Sequence, residues 1–253
     1  MLWYKVWIET RWRFWIGLVV LACSMAATVL TYPRVLELLQ RMPELDLGGA
    51  LGRRAQEGIA LAREYRGYVW SHAFAQEMSH LGTLFAVLLG AGGLISPRGG
   101  ALFTLSLPIS RSRLLAVRAG TGLAQWLALA LVPVVLLPVF SPAVHESYGI
   151  GAALVHGLCL FTAGAAFFSL TVLLSTVFAD VWRPLLFALV IAVALSIPEQ
   201  FAPEVSRHSI FGVMSGEMYF RTGRMPWLGL LASAAGAAAL LYAAARNFAR
   251  RDF

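Results

Sequence analysis

The sequence predicts an all-α integral membrane protein with six transmembrane helices, and its composition and the spacing of its charges both indicate this class. Hydrophobic residues make up 59% of the 253-residue chain, charged residues only 13%, and the mean hydropathy is +0.72. A soluble domain carries roughly a quarter charged residues. The apolar residues form long runs, and most charges fall between the runs. We therefore expect residues 1–253 to form a single helical membrane domain.

Six apolar runs approach the length of about 20 residues that a membrane-spanning helix needs. The first run resembles a signal peptide, because Ala26 and Ala27 imitate a cleavage site. Five further runs follow it, which favours an uncleaved first span. Pro133 and Pro138 are expected to kink the third span. The predicted spans are 14–30, 73–95, 119–140, 150–178, 185–201 and 227–245.

The N-terminal residues 1–13 are expected to form an amphipathic helix on the membrane surface. Lys5, Glu9 and Arg13 recur every four residues and make one charged stripe. Several tryptophans accompany the stripe, and tryptophan is enriched at membrane interfaces. An ordinary flanking segment of the first span fits the same residues equally well.

Two polar regions are expected on the outer side. Residues 33–71 mix six arginines with five acidic residues and form the longest predicted loop, with a helix from Arg53 to Tyr68. Residues 202–225 alternate polar and large apolar side chains. That mixture favours outer or re-entrant helices over a free loop.

The distribution of arginine predicts the orientation. The segment 96–118 carries Arg98, Arg111, Arg113 and Arg118 and no acidic residue, whereas the loop 141–149 has neither lysine nor arginine. Cytoplasmic loops carry the excess of basic residues. We therefore expect a multi-pass protein of the plasma membrane with both termini in the cytoplasm. The net charge of +7 is explained by this bias, so no nucleic-acid partner is predicted.

The centre of the segment 96–118 reads Thr-Leu-Ser-Leu-Pro-Ile-Ser-Arg from Thr104 to Arg111. It resembles the cytoplasmic loop of type-2 ABC exporter permeases, and the Arg-Arg-Asp sequence ending at Asp252 is also similar to that family. The resemblance implies an N-terminal elbow helix and a cytoplasmic coupling helix that docks into an ATPase. The residues it implies for that contact are Leu105, Leu107, Pro108, Ile109, Arg111 and Arg113.

The same resemblance implies the partners: two ABC ATPase subunits and a second permease subunit, in a homodimer or a heterodimer within the lipid bilayer. ATP and magnesium would be bound by the ATPase, and this chain would hold no cofactor. The transported substrate and any accessory subunits do not follow from the sequence.

Motifs for catalysis are missing from the sequence. Its only lysine, Lys5, follows no glycine-rich turn, so the chain has no standard Walker A motif. It has neither an HExxH nor a GxSxG motif. Cys23 and Cys159 lie in separate apolar runs. We therefore predict no catalytic residue and no metal site, and expect a non-catalytic permease subunit.

A few ionisable residues fall within or beside the predicted spans. Glu77 and His80 are three residues apart and share a helical face, and Glu199 follows Pro198. An intramembrane carboxylate is a candidate for substrate or proton handling. The simpler interpretation places all three near the outer interface, in contact with water. His156 is expected to be a hydrogen-bonded packing residue.

The last span has a smooth face of small residues that favours close helix contact. Gly229, Ser233 and Ala237 repeat at intervals of four, as do Ala232 and Gly236.

Two other functions remain open. A secondary transporter would show an inverted repeat and charges at the midplane. A membrane-embedded enzyme would need a convergent set of polar residues within the spans. Neither pattern is evident in the sequence.

Overall fold

A computed structural model describes residues 2–41, 49–92, 110–201 and 209–250. Over these ranges the chain is helical, with short turns and no strand. The predicted all-α class is therefore confirmed for the described part of the chain.

The helices follow one another closely along the chain, and most connections between them are short. In chain order they are α1 Leu2–Arg41, α2 Gly49–Arg63, α3 Tyr65–Tyr68, a π-helix Val69–Met78, α4 Ser79–Gly90, α5 Arg111–Ala130, α6 Val132–Phe140, a 3₁₀-helix Ser141–Val144, α7 Ile150–Val177, α8 Trp182–Phe201, α9 Ile210–Ser215, α10 Glu217–Thr222 and α11 Trp227–Arg250.

Four stretches of the described chain are long and apolar enough to cross a membrane, which indicates a membrane-embedded protein. They are Leu2–Arg41, Ser112–Val144, Ile150–Val177 and Trp227–Arg250. The predicted spans 73–95 and 185–201 are not among the four. The first of these is divided between the π-helix and α4, and the second corresponds to the shorter apolar stretch Trp182–Ile197.

Helix α1 is longer than the sequence suggested. It runs for 40 residues without a break, so residues 1–13 are not set apart as a separate helix from the first span. It also passes through Pro33 and continues to Arg41, where a loop was expected. Apolar residues continue after the proline, so the helix keeps a face to pack. The loop expected over 33–71 is therefore helical at 33–41, and again from Gly49 through α2 and α3.

The third predicted span is interrupted, as the prolines suggested. Helix α5 ends at Ala130 and α6 begins at Val132, with Leu131 between them. Pro133 lacks the amide hydrogen that would continue the helical hydrogen bonds. Pro138 lies inside α6 and does not end it.

Helix α7 is the centre of the structure and packs against α4, α5, α6, α8, α9 and α11. Small residues on α7 allow this close packing. Trp126 of α5 lies against Gly164, and its indole nitrogen donates to the carbonyl of Phe161 at 2.9 Å. Large side chains remain exposed on α8 and α11, for example Val190 and Leu228, as expected for helices that face lipid.

Candidate functional site

The predicted ATPase-docking residues lie at the edge of the described chain. Leu105, Leu107, Pro108 and Ile109 are outside the described residues. Arg111 is the first residue of α5, where only the backbone is described, and Arg113 is exposed two residues later.

Ser110 is the residue that precedes α5. Its backbone is extended, with φ −63° and ψ 138°, as an N-cap residue requires. Its side chain makes no capping hydrogen bond to the helix. The backbone at Ser110 thus has the N-cap conformation without the capping hydrogen bond.

The N-terminal part of α1 contacts the chain on both sides of this segment. Before it, Arg13 donates from Nη1 to the carbonyl of Leu88 at 2.8 Å and to the carbonyl of Ala91. These carbonyls belong to the last turn of α4 and its end, where helical partners are missing and the helix dipole is negative. An arginine is therefore well suited to this position.

After the segment, the contact is made by Arg118 of α5. Its side chain is buried, and Nη1 lies 3.9 Å from Oε2 of Glu9. Oε1 of Glu9 lies 4.0 Å from Nζ of Lys5. The guanidinium of Arg118 also fills the space that any side chain at Gly92 would need. We call Glu9, Arg13, Arg118 and the end of α4 the inner junction.

A buried hydrogen bond continues the contact between α1 and α5 beyond the inner junction. Gln125 donates from Nε2 to Oγ1 of Thr10 at 2.8 Å, and Thr10 donates to the carbonyl of Val6. This fastens α5 to α1 about two turns beyond Arg118.

Glu77, a predicted pathway residue, is bound by α1. Its Oε2 accepts hydrogen bonds from the hydroxyl of Ser24 and from Oγ1 of Thr28, the latter at 2.9 Å. Both donors lie inside the apolar run 14–30, rather than beyond its outer end. The carboxylate is therefore held beside the predicted first span, and its depth in the membrane stays a prediction.

Glu77 belongs to the π-helix, a form that often marks functional sites. Just after the π-helix, Ser79 donates from its hydroxyl to the carbonyl of Phe74 within it, at 2.7 Å. His80 lies one residue beyond Ser79 in α4 and is exposed, with Nδ1 bonded to the carbonyl of Gln76. No ion pair joins Glu77 and His80 among the described contacts.

Glu199 lies near the end of α8, where the structure describes only the backbone. Its role in the pathway therefore stays a prediction.

His156 is a buried packing residue, as expected. Its Nδ1 lies 3.0 Å from the carbonyl of Ser215, and its ring stacks on Phe74 at 4.3 Å between centroids. Trp70 donates to the same carbonyl at 3.2 Å. Gly216 follows with φ +68°, and a side chain there would collide with the imidazole. These contacts fix the turn between α9 and α10.

The described part of 202–225 is helical, as its mixed composition suggested. Ser209 caps α9 by accepting from the backbone amide of Gly212 at 2.9 Å. In α10, Phe220 stacks on Trp70 with centroids 4.4 Å apart, and the guanidinium of Arg221 lies over the indole of Trp70. The two short helices are therefore packed against the π-helix.

A cluster of tyrosines joins α1, α3 and the turn before α7. Tyr32 contacts Tyr65 and Tyr68 with centroids 5.0 and 5.1 Å apart, and the hydroxyl of Tyr65 lies 2.6 Å from that of Ser141. Burial raises the pKa of Tyr148, whose hydroxyl has no partner among the described residues. Nothing in the sequence pattern predicted this cluster, because its members are scattered between residues 32 and 148.

Only part of the predicted small-residue face of α11 is in close contact with the rest of the described structure. A side chain at Gly229 would collide with Val213 of α9, and Ala237 is buried. Ser233 is half-buried, whereas Gly236 has no atom within 4 Å of the place a β-carbon would occupy. Within one chain, Gly236 is therefore not a close-packing residue.

Comparison with known proteins gives no match to a protein-family model, a curated protein or a solved structure. Function is therefore inferred from the residues themselves. Among the described residues, no group of three histidine, cysteine, aspartate or glutamate side chains is arranged to hold a metal ion.

Proposed function

We propose that this chain is the transmembrane subunit of an ATP-driven exporter of the type-2 ABC class, coupled to a separate ATPase. The observation that carries the proposal is the inner junction. Arg13 and Glu9 of α1 contact both flanks of the segment that resembles the coupling loop, through the end of α4 and through Arg118. A displacement of that loop would therefore reach α1 directly.

The proposal includes six spans with both termini in the cytoplasm of the plasma membrane. Besides the four long helices, α3, the π-helix and α4 follow one another without a gap from Tyr65 to Gly90, and α8 provides the remaining crossing. The N-terminal end of α1 serves as the elbow, continuous with the first span.

In this function the chain catalyses no reaction. Two such subunits, identical or not, enclose the pathway, and two ATPase subunits bind ATP and magnesium. Closure of the ATPases pushes the coupling loops, and the inner junction passes the movement to α1. Because α1 also carries Ser24 and Thr28, the movement changes the surroundings of Glu77.

The test is the substitution Leu107→Asp in the coupling segment. Buried apolar anchors supply most of the binding energy of an interface, and rim charges supply less. We expect vanadate-sensitive ATPase activity that co-purifies with tagged protein from native membranes to fall by about tenfold or more. Arg111→Ala should lower it less.

The control is Gln56→Asp, which adds a carboxylate to exposed α2 on the opposite, outer side of the proposed topology. It should leave the co-purified activity unchanged. If Leu107→Asp retains full ATPase activity while remaining inserted, the segment is not the docking element and the proposed class loses its support.

A further inference from the structure

The carboxylate of Glu77 lies beside the middle of an uncharged stretch of α1. Arg13 and Arg34 bound this stretch, and no charged residue falls between them. At 1.5 Å per residue they are about 32 Å apart, close to the thickness of the hydrocarbon core. Ser24, which donates to Glu77, lies almost halfway between the two arginines. In the proposed membrane arrangement, Glu77 therefore lies close to the midplane, on the side of the outer leaflet.

Only one of the two carboxylate oxygens of Glu77 accepts hydrogen bonds from the described residues. Both hydroxyl donors, Ser24 and Thr28, bind Oε2. Oε1 accepts no hydrogen bond from the described residues, and no lysine, arginine or histidine nitrogen there lies within 4.0 Å of the carboxylate. A carboxylate in apolar surroundings is costly unless a positive group accompanies it.

The residues next to Glu77 offer further acceptors on the open side of the chain. Gln76 and His80 are exposed, and Glu77 is half-buried. Because the carbonyl of Gln76 can only accept, Nδ1 of His80 carries a hydrogen, and in the neutral imidazole Nε2 is then an acceptor. The amide oxygen of Gln76 is a third acceptor. An ammonium group has three N–H donors and no acceptor, so its chemistry complements this set.

We propose that Glu77, His80 and Gln76 form a binding site for the positively charged amine of an exported molecule. Ser24 and Thr28 act as positioning residues, since they hold Oε2 and leave Oε1 directed to the ligand. This inference rests on the proposed export function and names a ligand class for it.

The experiment measures binding of a fluorescent amine to the purified full-length chain in phosphatidylcholine nanodiscs, without ATPase. The probe is dansylcadaverine, and the matched neutral probe is its N-acetylated form, which partitions into lipid but carries no charge. We expect Glu77→Gln to raise the Kd of the charged probe about tenfold or more. Glu57→Gln, on exposed α2, should leave it unchanged.

A second set of variants keeps the test decisive if Glu77→Gln does not fold. Ser24→Ala combined with Thr28→Ala retains the charge and should weaken binding about threefold to tenfold, because the carboxylate is no longer held. Equal affinity for charged and acetylated probes, or unchanged affinity in the Glu77 variant or the double variant, would overturn the site. Because this experiment contains no ATPase, a negative result would not affect the docking test of the proposed export function.

Discussion

At the scale of single residues, the decisive contacts join positions that are far apart along the chain. Arg13 binds carbonyls 75 and 78 residues later. The sequence showed Lys5, Glu9 and Arg13 as a charged stripe, which is correct as a local pattern. It could not show that Arg118 and the end of α4 meet this stripe, because residue spacing describes only neighbours on one helix. For the same reason, the sequence could not show that Ser24 and Thr28 bind Glu77.

Tyr148 supplies a prediction at this scale, because burial raises its pKa and its hydroxyl lacks a partner among the described residues. A tyrosine whose pKa is raised by folding stays neutral in the native state, while the unfolded chain ionises above about pH 10. Stability is therefore expected to fall as pH rises beyond about 10. Thermal unfolding in detergent, compared at roughly pH 9 and pH 11, should show a smaller decrease in Tyr148→Phe than in the wild type.

At neutral pH the Tyr148→Phe variant should be as stable as the wild type or slightly more so, since it removes a buried hydroxyl with no partner in the described part of the chain. A parallel decrease in both proteins at high pH would show that another group controls the alkaline transition. Tyr4, which is exposed near the N-terminus, provides the matched control Tyr4→Phe.

At the scale of elements, helices formed by long apolar runs were predicted well. A helix that continues through a proline and a π-helix were not. Helix α7, Ile150–Val177, matches the expected 150–178 because a long and mostly apolar run lies between Gly149 and Asp180. Pro33 suggested the end of α1, yet the helix continues to Arg41, and Val35 and Leu39 after the proline pack against the core. The π-helix has no sequence signature, because its widened turn depends on what the helix packs against.

Helix α11 gives a matched pair of substitutions at the scale of elements. Gly229→Leu should destabilise the chain by about 1–3 kcal/mol, because the new side chain collides with Val213 in a packed contact. Gly236→Leu should leave the stability of the single chain unchanged, because no atom lies near the added group. Chemical denaturation in mixed micelles compares the two.

The same pair also tests assembly. If the open face at Gly236 contacts a second permease subunit, Gly236→Leu should lower the dimer fraction in size-exclusion chromatography with light scattering. Equal destabilisation of the single chain by both substitutions would contradict the described packing of α11.

At the scale of the whole molecule, the all-helical membrane class could be predicted from composition, whereas the number of crossings could not be fixed in the same way. Four helices meet the length and hydropathy of a span, and the described part of the region 73–95 does not form one regular helix. The first third of this region is polar and includes Glu77 and His80, which lowers its mean hydropathy. A membrane span is recognised by high mean hydropathy. The coupling segment, which governs the proposed function, lies mostly outside the described residues.

The proposed topology predicts that residues 98 and 147 lie on opposite sides of the membrane. In a background with Cys23→Ala and Cys159→Ala, single cysteines at Arg98 and Ser147 should react with an impermeant maleimide from the cytoplasmic and the outer side, respectively. Intact and inverted vesicles separate the two sides, and labelling of unfolded protein controls for reactivity. Labelling of both positions from one side would remove the six-span arrangement.

The length of α1 affects how its two ends would move in the proposed transport cycle. A helix of 40 residues measures about 60 Å, roughly twice the hydrocarbon thickness. If this helix moves as a rigid body, its contact with Glu77 at Ser24, near the middle of its length, can act as the pivot. A lever that pivots near its middle moves its two ends in opposite directions. A push on the inner arm at Arg13 would therefore swing the outer arm at Tyr32 the other way, so that one side of the pathway narrows as the other widens.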